Sequence, residues 1–392
     1  MRPTRRLTAS VVVSTLVAAA LAGCSSSDDD TGGVKQIIIG ADLASNTDSD
    51  IAYARGLQLR IEQINASGQL GDKQLVLRIQ DNRSDPTSSL RNISTFADDP
   101  AVAAIVTGDC DDCVIGAANT VNNKSVPTIA LAGADQVSEP VAARKWMFKL
   151  GPNANDSTAV LTAELKRTNA KKVAVLATED KYGADALQAL QSEMAKAGIA
   201  VTATQRVKPT SSDITTTVAT VTEGKPDALV VLTGPDQAIL AATSARAAKF
   251  EGKLYFDAGA AGDLFLPKDA SAAMNNSTMV FTQILAIDDV ISTSPAKAAR
   301  KQWFRDYTSR YGTYSGVASY AADAANLIAA GVAQAGDNRA AIRDILETSQ
   351  TDGLSGTIRL TPDNHSGLMP QSLTLLVARS GRWRLSADSG LS

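Results

Sequence analysis

The chain has 392 residues, of which 44% are hydrophobic and 20% are charged, as in ordinary soluble globular proteins. This composition argues against an intrinsically disordered chain and against a protein with many membrane spans, and the length predicts two or three domains. The formal net charge of −3 leaves no basic surplus for phosphate groups, so nucleic acid is not an expected partner. The single histidine, His365, argues against multi-histidine metal sites, and three cysteines are too few for a disulfide-built fold.

The N-terminus has the pattern of a targeting segment. Three arginines in the first six residues precede an apolar run over residues 9–22, which is shorter than the ~20 residues of a spanning helix. The run ends in Leu21-Ala22-Gly23-Cys24, which resembles a bacterial lipobox, with an ordinary signal peptide as the alternative. The resemblance implies a signal peptide over residues 1–23 and lipidation of Cys24. Residues 24–33 then form a flexible tether to the outer face of the cell membrane.

The first half of the remaining chain alternates two hydrophobic periods. Runs of buried-strand type are separated by segments with apolar residues three and four positions apart, which is typical of amphipathic helices. The predicted segments are strand Gln36–Ala41, helix Ile51–Ser67, strand Lys73–Gln80, a helix from Pro86, strand Ala103–Thr107, helix Val114–Lys124 and strand Val126–Leu131.

The same alternation restarts after Trp146–Leu150 and continues to the C-terminus. Two similar α/β halves of about 120 residues follow from it, each typical of a doubly wound parallel sheet with helices on both faces. Because such sheets bind ligands at the carboxyl ends of their strands, the expected site is the cleft between the halves. The predicted segments are strand Lys172–Ala177, helix Tyr182–Ala197, strand Ile199–Arg206, helix Ile214–Thr222, strand Ala228–Leu232, helix Gln237–Phe250, strands Lys253–Asp257 and Thr278–Ile284, helices Pro295–Tyr311, Ser319–Gln334 and Ala340–Glu347, and strands Thr357–Leu360, Ser372–Ala378 and Trp383–Leu385.

Seven short motifs, each weak alone, occur in one order along Ile37–Arg384. They are residues 65–72 (NASGQLGD), 81–86 (DNRSDP), 102–108, 126–129 (VPTI), 180–183 (DKYG), 196–198 (KAG) and 320–324 (YAADA). In this order the chain resembles the type I periplasmic-binding-protein family, in the branch of the leucine/isoleucine/valine-binding proteins of ABC importers. The resemblance implies two lobes that close on a ligand about a hinge.

The resemblance also implies three crossovers between the lobes, which we place near Phe148–Pro152, Val280–Leu285 and Ser355–Thr361. The N-terminal lobe is then expected to contain residues 34–149 and 283–354, and the C-terminal lobe residues 150–282 and 355–392. The fold class predicted in this way is α/β, with two doubly wound parallel-sheet lobes joined by a three-crossover hinge.

Two loops of the first lobe are implied to receive the α-carboxylate of an amino acid. At these positions the chain has Cys110 and Asp111 in the first loop, and Ala132, Ala134 and Asp135 in the second. An aspartate at a carboxylate site departs from the family pattern, because like charges in a dry cleft repel. The alternative is a shifted register in which Asp111 faces solvent.

The second lobe is implied to contribute Tyr182, which packs over the ligand in the family or else packs only on its own lobe. Asp236 follows another strand and is expected at the edge of the cleft. The family's acidic anchor for the ligand ammonium aligns with Gly259, with Asp257 two residues earlier. The aspartate at the carboxylate position and the glycine at the ammonium anchor both weaken a site for a zwitterion. Branched-chain amino acids are therefore expected to bind less well than a cationic or uncharged polar ligand.

Cys110 and Cys113 form a C-x-x-C pair with three interpretations. An oxidising compartment favours a disulfide, a redox motif needs a thioredoxin context, and a metal site needs further ligands. Related binders pair a cysteine of this loop with one in the segment where Ser84 stands, so the resemblance leaves a local Cys110–Cys113 bridge. His365 lies in a turn-like segment and is expected to be solvated.

These features together predict a solute-binding lipoprotein that captures a small polar molecule, amino-acid-like or an amide or polyol, for an ABC importer. The alternative is a ligand-sensing regulatory lipoprotein without a transport role. No phosphate loop, G-x-S-x-G elbow or metal-ligand cluster occurs in the sequence, so an enzyme, a cofactor and a bound metal are not expected. The expected partners are the ligand, an ABC permease and, through the lipid anchor, the membrane, with the protein a monomer.

Overall fold

The computed structural model describes residues 34–387, so the predicted signal peptide, Cys24 and the tether lie outside the described residues. Within the described part, no helix has both the length and the apolarity needed to cross a membrane. The predicted α/β fold is confirmed. Two separate sheets each carry helices on both faces, and a third, two-stranded sheet is small.

The N-lobe, as we call the first half, is built on a five-stranded parallel sheet. Its strand order is β2-β1-β3-β4-β5, so the order reverses between β1 and β3. Strand β3 is buried along its whole length, as a central parallel strand covered on both faces must be. The elements are β1 Lys35–Leu43, α1 Asp48–Ser67, β2 Lys73–Asp81, α2 Pro86–Asp98, β3 Val102–Thr107, α3 Asp111–Lys124, β4 Thr128–Ala130 and β5 Met147–Lys149.

Local signals set the helix ends in this lobe. Asp85 accepts a hydrogen bond from the Ser88 N–H at 2.7 Å and so caps α2, which has Pro86 in its first turn. Helix α1 ends at Gly68, whose φ of 70° lies in the left-handed region that glycine tolerates. Helix α3 begins three residues earlier than predicted, and this difference places Asp111 in its first turn.

The C-lobe, the second half, has a seven-stranded sheet in the order β14-β13-β10-β9-β8-β6-β7. Strands β6 to β10 are parallel, and the order reverses between β6 and β8. The elements are α4 Ala154–Arg167, β6 Lys172–Thr178, α5 Lys181–Ala197, β7 Ala200–Val207, α6 Thr215–Thr222, β8 Ala228–Leu232, α7 Pro235–Ala247, β9 Lys253–Phe256, α8 Ser271–Met274, β10 Thr278–Thr282, β13 Leu373–Arg379 and β14 Arg382–Leu385. Helix α4 is absent from the sequence predictions.

The edge of the C-lobe sheet departs from the predicted all-parallel pattern. Strand β13 pairs antiparallel with β10 and with β14, so the sheet is mixed. Ser380 and Gly381 form the two-residue turn between the last strands, with φ of 53° and 73°. Positive φ at both turn positions is the geometry of tight hairpins, so the local sequence dictates this antiparallel end.

Between β10 and β13 the chain leaves the C-lobe and packs against the N-lobe. It contains α9 Pro295–Tyr311, α10 Ala318–Ala335, α11 Arg339–Glu347, β11 Gln350–Asp352 and β12 Thr357–Arg359. Helix α10 packs along α1, and Arg310 of α9 forms an ion pair with Glu62 of α1. The chain therefore crosses between the lobes near the ends of β5, β10 and β12, while the exact lobe boundaries stay a prediction.

The prediction that His365 is solvated is wrong. The side chain is 1% exposed and stacks on Phe148, with 4.5 Å between the ring centroids. Its Nδ1 lies 2.8 Å from the Met147 carbonyl oxygen, and the Lys149 N–H donates to the His365 carbonyl. The segment that looks like a surface turn in sequence is buried because it pairs with β5 at the crossover.

Candidate functional site

The places where strand order reverses in the two sheets face one another. In a doubly wound sheet the crevice for a ligand opens there, at the carboxyl ends of the strands. In the N-lobe these ends lead to Ser49 after β1 and Asp109 after β3. In the C-lobe they lead to Asp180 after β6 and Gly234 after β8. All four residues line one cavity between the lobes.

The cleft has two parts that run into each other. The inner cavity has a volume of about 110 Å³, and the mouth outside it about 400 Å³. The residues that line both parts are Ser49, Asp109, Asp111, Asp180 and Gly234. A ligand that enters through the mouth therefore passes carboxylates from both lobes before it reaches the inner cavity.

Tyr182, at the start of α5, brings the two lobes into contact. A Cβ atom added at Gly133, in the loop after β4, would lie only 2.8 Å from the Tyr182 Cδ2 atom. The neighbouring Asp135 N–H donates to the Asp185 carboxylate of α5 at 3.1 Å. The ring needs the glycine because it lies directly on the N-lobe backbone, and the described arrangement is one in which the lobes touch over the cavity.

The N-lobe wall holds three carboxyl groups close together. Asp50 accepts hydrogen bonds from the Ala44 N–H at 2.6 Å and the Asp109 N–H at 2.8 Å. Burial raises the pKa of Asp50 to about 7, and the nearby Asp109 carboxyl adds to this rise. Desolvation between the lobes also raises the pKa of Asp109 to about 6 and that of Asp111 to about 8. A positive charge placed among them would stabilise their ionised forms.

The C-lobe wall holds a buried pair behind the cavity. The Tyr182 hydroxyl donates to Asp257 and accepts from the Gly259 N–H at 2.9 Å. Asp257 is fully buried, and burial raises its pKa to about 7. A Cβ at position 259 would overlap the Tyr182 hydroxyl, so Gly259 makes room for this side chain. Tyr182 and Gly259 line the inner cavity, whereas Asp257 orients the ring from behind.

The second N-lobe loop lies differently from what the resemblance implies. Ala132 and Ala134 are fully buried and do not line the cavity. The Ala134 N–H donates to the Asp111 Oδ1 atom at 2.7 Å. The buried Lys149 ammonium donates to the Gly133 carbonyl at 3.0 Å and lies 3.4 Å from Asp135. This loop supports the wall, and the role of Asp135 is a contact with α5.

The remaining predicted residues lie at the mouth. Asp236 and Cys110 line it, and Cys110 also precedes the first turn of α3. Cys110 and Cys113 are joined by a disulfide with 5.2 Å between their Cα atoms. Asp111 is half-buried at the wall of both cavity parts. As ligand contacts, all of these residues stay predictions.

Several cavity residues were not predicted as site residues from the sequence. Asp109 and Asp180 each lie two residues after the end of a buried strand, and that position is a signal that sequence reasoning had available. Tyr53, Phe281 and Tyr320 come from helix faces and a strand whose packing only the fold decides. All five line the inner cavity.

The described residues contain no group of three or more His, Cys, Asp or Glu side chains arranged to hold a metal ion.

Comparison with solved structures gives the same fold at low sequence identity. An extracellular ligand-binding receptor from Rhodopseudomonas palustris matches with a TM-score of 0.80 and 21% identity, covering 89% of this chain and 99% of that one. A leucine-binding protein from Thermotoga maritima matches at 0.76 and 18%, covering 90% and 98%. A solute-binding protein of an ABC transporter from R. palustris, in complex with 3,4-dihydroxybenzoic acid, matches at 0.77 and 15%, covering 89% and 95%.

A search of curated proteins gives no significant match. The family model described as "Periplasmic binding protein" matches residues 41–381. This match spans nearly all of the described chain, both lobes and the cleft. The protein therefore belongs to the periplasmic binding protein family, with the type I fold that its ordered motifs predict.

Proposed function

We propose that this protein is an extracytoplasmic solute-binding lipoprotein that captures a small polar ligand between its lobes for an ABC importer. The observation that carries the proposal is the cavity between the two facing points of strand-order reversal. Each lobe contributes an acidic strand-end residue to it, Asp109 from the N-lobe and Asp180 from the C-lobe. A ligand that contacts both walls stabilises the closed arrangement over the open one, which is how a receptor couples capture to a change of shape.

The cross-lobe contacts support closure as the response to ligand. Tyr182 rests on Gly133, and the Asp135 N–H donates to Asp185, so a few contacts join the lobes beside the cavity. A ligand that contacts both walls would add to these contacts and shift the protein toward the closed arrangement. Small-angle scattering is expected to give a smaller radius of gyration with bound ligand than without it.

The ligand is found by a thermal-shift screen of amino acids, amides, polyamines and small sugars on residues 24–392. A ligand that binds only the folded protein raises its apparent stability by mass action. A hit that leaves the radius of gyration unchanged at saturation would contradict capture by hinge closure. The relatives do not indicate which ligand this protein binds, because one is a leucine-binding protein and another was solved with an aromatic acid on the same fold.

Membrane attachment through Cys24 is tested separately. The Cys24→Ala protein is expected to leave the membrane fraction for the medium or periplasm, with Ser26→Ala as the matched control that stays attached. A Cys24→Ala protein that sediments with membranes like the wild type would refute the lipoprotein assignment. Loss of high-affinity ligand uptake on deletion of the gene would support import over sensing.

A further inference from the structure

The cleft has an unusual balance of charge. Three aspartates line the inner cavity, and four more line only the mouth. Across residues 34–387, no lysine, arginine or histidine lines either part. The inner carboxylates are Asp109, Asp111 and Asp180, and those of the mouth alone are Asp48, Asp50, Asp112 and Asp236. An anionic ligand meets repulsion along this whole path, whereas a cation is attracted to it.

Several backbone donors at the cavity already have protein acceptors. The Asp109 N–H donates to Asp50 at 2.8 Å, and the Ala134 N–H donates to Asp111 at 2.7 Å. On the C-lobe side the Ala258 N–H donates to the Ser157 hydroxyl at 3.2 Å. The Gly259 N–H is likewise taken up by Tyr182. A ligand carboxylate that displaced these acceptors would leave buried oxygens without donors, and that exchange is unfavourable.

Aromatic side chains form much of the remaining wall of the inner cavity. They are Tyr53, Tyr182, Phe281 and Tyr320, in a chain whose aromatic content is only 4%. Two of the three hydroxyls donate inside the protein, Tyr53 to the Leu131 carbonyl at 3.3 Å and Tyr182 to Asp257. The hydroxyl of Tyr320, whose side chain is only 2% exposed, faces the buried hydroxyl of Thr282. All three hydroxyls are therefore directed to protein groups, and the ring surfaces are what these side chains offer to a ligand.

We propose that the inner cavity binds the head group of a small organic cation, a substituted ammonium held by the carboxylates and the aromatic rings. The proposal rests on the proposed function as a solute receptor and specifies its ligand class. Aromatic rings and carboxylates together form the surface that alkylated ammonium groups prefer, because the cation is weakly hydrated and attracted to both. A metal ion fits less well, since Ca²⁺ takes about six to eight oxygen ligands and the faces of the aromatic rings supply none.

The size of the cavity agrees with such a head group. An apolar cavity of about 150 Å³ admits benzene, which has six heavy atoms. The inner cavity of about 110 Å³ accordingly suits a group of about the size of trimethylammonium. The larger mouth leaves room for a polar or second cationic part of the molecule, next to Asp112 and Asp236.

Titration calorimetry on residues 24–392 tests the charge directly. The probes are choline, its neutral carbon isostere 3,3-dimethylbutan-1-ol, tetramethylammonium and leucine. Choline and tetramethylammonium are expected to bind at least about tenfold more tightly than the isostere and leucine, because the isostere has the same shape without the charge. Equal or tighter binding of the isostere or leucine would overturn the cation assignment and leave the receptor function standing. Absence of binding by both cations would overturn it too, and the thermal-shift screen then judges the receptor function alone.

Two variants tie the charge to this cavity. Asp111→Asn keeps an oxygen for the Ala134 N–H and removes the charge, so choline affinity should fall about tenfold or more. Asp363→Asn is the matched control, because this exposed residue changes the net charge equally but does not line the cleft. Equal losses in both variants would mean that only long-range charge acts and would refute the site. Urea unfolding of each variant separates loss of binding from loss of fold.

Discussion

Two aspartates of the N-lobe, Asp323 and Asp111, are surrounded in opposite ways. Asp323 on α10 accepts hydrogen bonds from the N–H groups of Leu354 and Ser355, both at 2.8 Å, and from the Ser355 hydroxyl at 2.6 Å. Asp111 at the cavity accepts one, from Ala134, among the described residues. The donors around Asp323 fix the chain where it leaves the N-lobe.

The difference indicates which enclosed charges serve the fold and which serve a ligand. A carboxylate with a full set of donors is already stabilised by the protein and has nothing left to bind. A carboxylate with one donor, at a cavity wall, keeps acceptor capacity for a molecule that arrives later. Burial raises the pKa of both groups, so the direction of the change in pKa alone does not separate them.

The largest effect expected of a substitution is the difference in the free energy of unfolding between Asp323→Asn and Asp111→Asn. In Asp323→Asn an amide NH₂ replaces one oxygen and faces donors, so the free energy of unfolding should fall by about 3 kcal/mol. In Asp111→Asn the remaining oxygen still accepts from Ala134, and the change should stay within about 1 kcal/mol at pH 7. Urea denaturation measures both. Equal losses would show that Asp111 is as structural as Asp323.

The stability of the ligand-free protein should fall as the pH rises from 5 to 8. Burial raises the pKa values of Asp50 to about 7 and of Asp111 to about 8, from 3.8 in both cases. Between pH 4 and 8 the folded state therefore binds more protons than the unfolded state, and its stability is greatest at the acidic end. We expect a loss of several kcal/mol over this window, because each carboxyl that stays protonated only in the folded state loses about 1.4 kcal/mol for every pH unit up to its raised pKa.

Chemical denaturation at a series of pH values checks this profile. The Asp111→Asn protein should show a shallower decline, and saturating choline should do the same in the wild type, because a bound cation favours the ionised carboxylates. A wild-type protein that becomes more stable toward pH 8 would contradict the raised pKa values of Asp50 and Asp111.

The smallest effect is expected where the lobes touch. In Gly133→Ala the new methyl group would press on the Tyr182 ring, so ligand affinity should fall several-fold while each lobe stays folded. Gly116→Ala on α3 is the control, because nothing lies within 4 Å of a Cβ at that position. Calorimetry with the best ligand compares the two. Equal affinities would show that the Tyr182 contact does not contribute to closure.

Much of the fold could be predicted from the sequence. The strand Ala228–Leu232 has the predicted bounds because it is a continuous apolar run. The helix Pro295–Tyr311 has them because Ser294 with Pro295 and Gly312 mark its two ends. Tyr182 and Gly259 line the cavity, and their role as ligand contacts stays a prediction. Helix α4 escaped prediction because its buried threonines and serine weaken the hydrophobic pattern.

The site depended more on tertiary structure than the fold did. Ala132 and Ala134 follow the right strand, yet their side chains turn away from the cavity into the core. His365 has the sequence surroundings of a surface turn and is buried only because its segment pairs with β5. Sequence spacing places a residue at a strand end, but the packing of the other lobe decides whether it reaches the ligand.

By itself, the sequence determined the α/β alternation, the two lobes' strand ends and the excess of aspartate in the loops that follow them. These are local properties, set by hydrophobic period and by residue type at a chain position. Tertiary structure alone decided that Tyr53, Phe281 and Tyr320 meet around the same cavity as Asp109 and Asp180. These residues lie up to 267 positions apart, from Tyr53 to Tyr320, and no local preference brings them together. Their meeting follows from burying the apolar faces of two sheets and of the helices that cross between them.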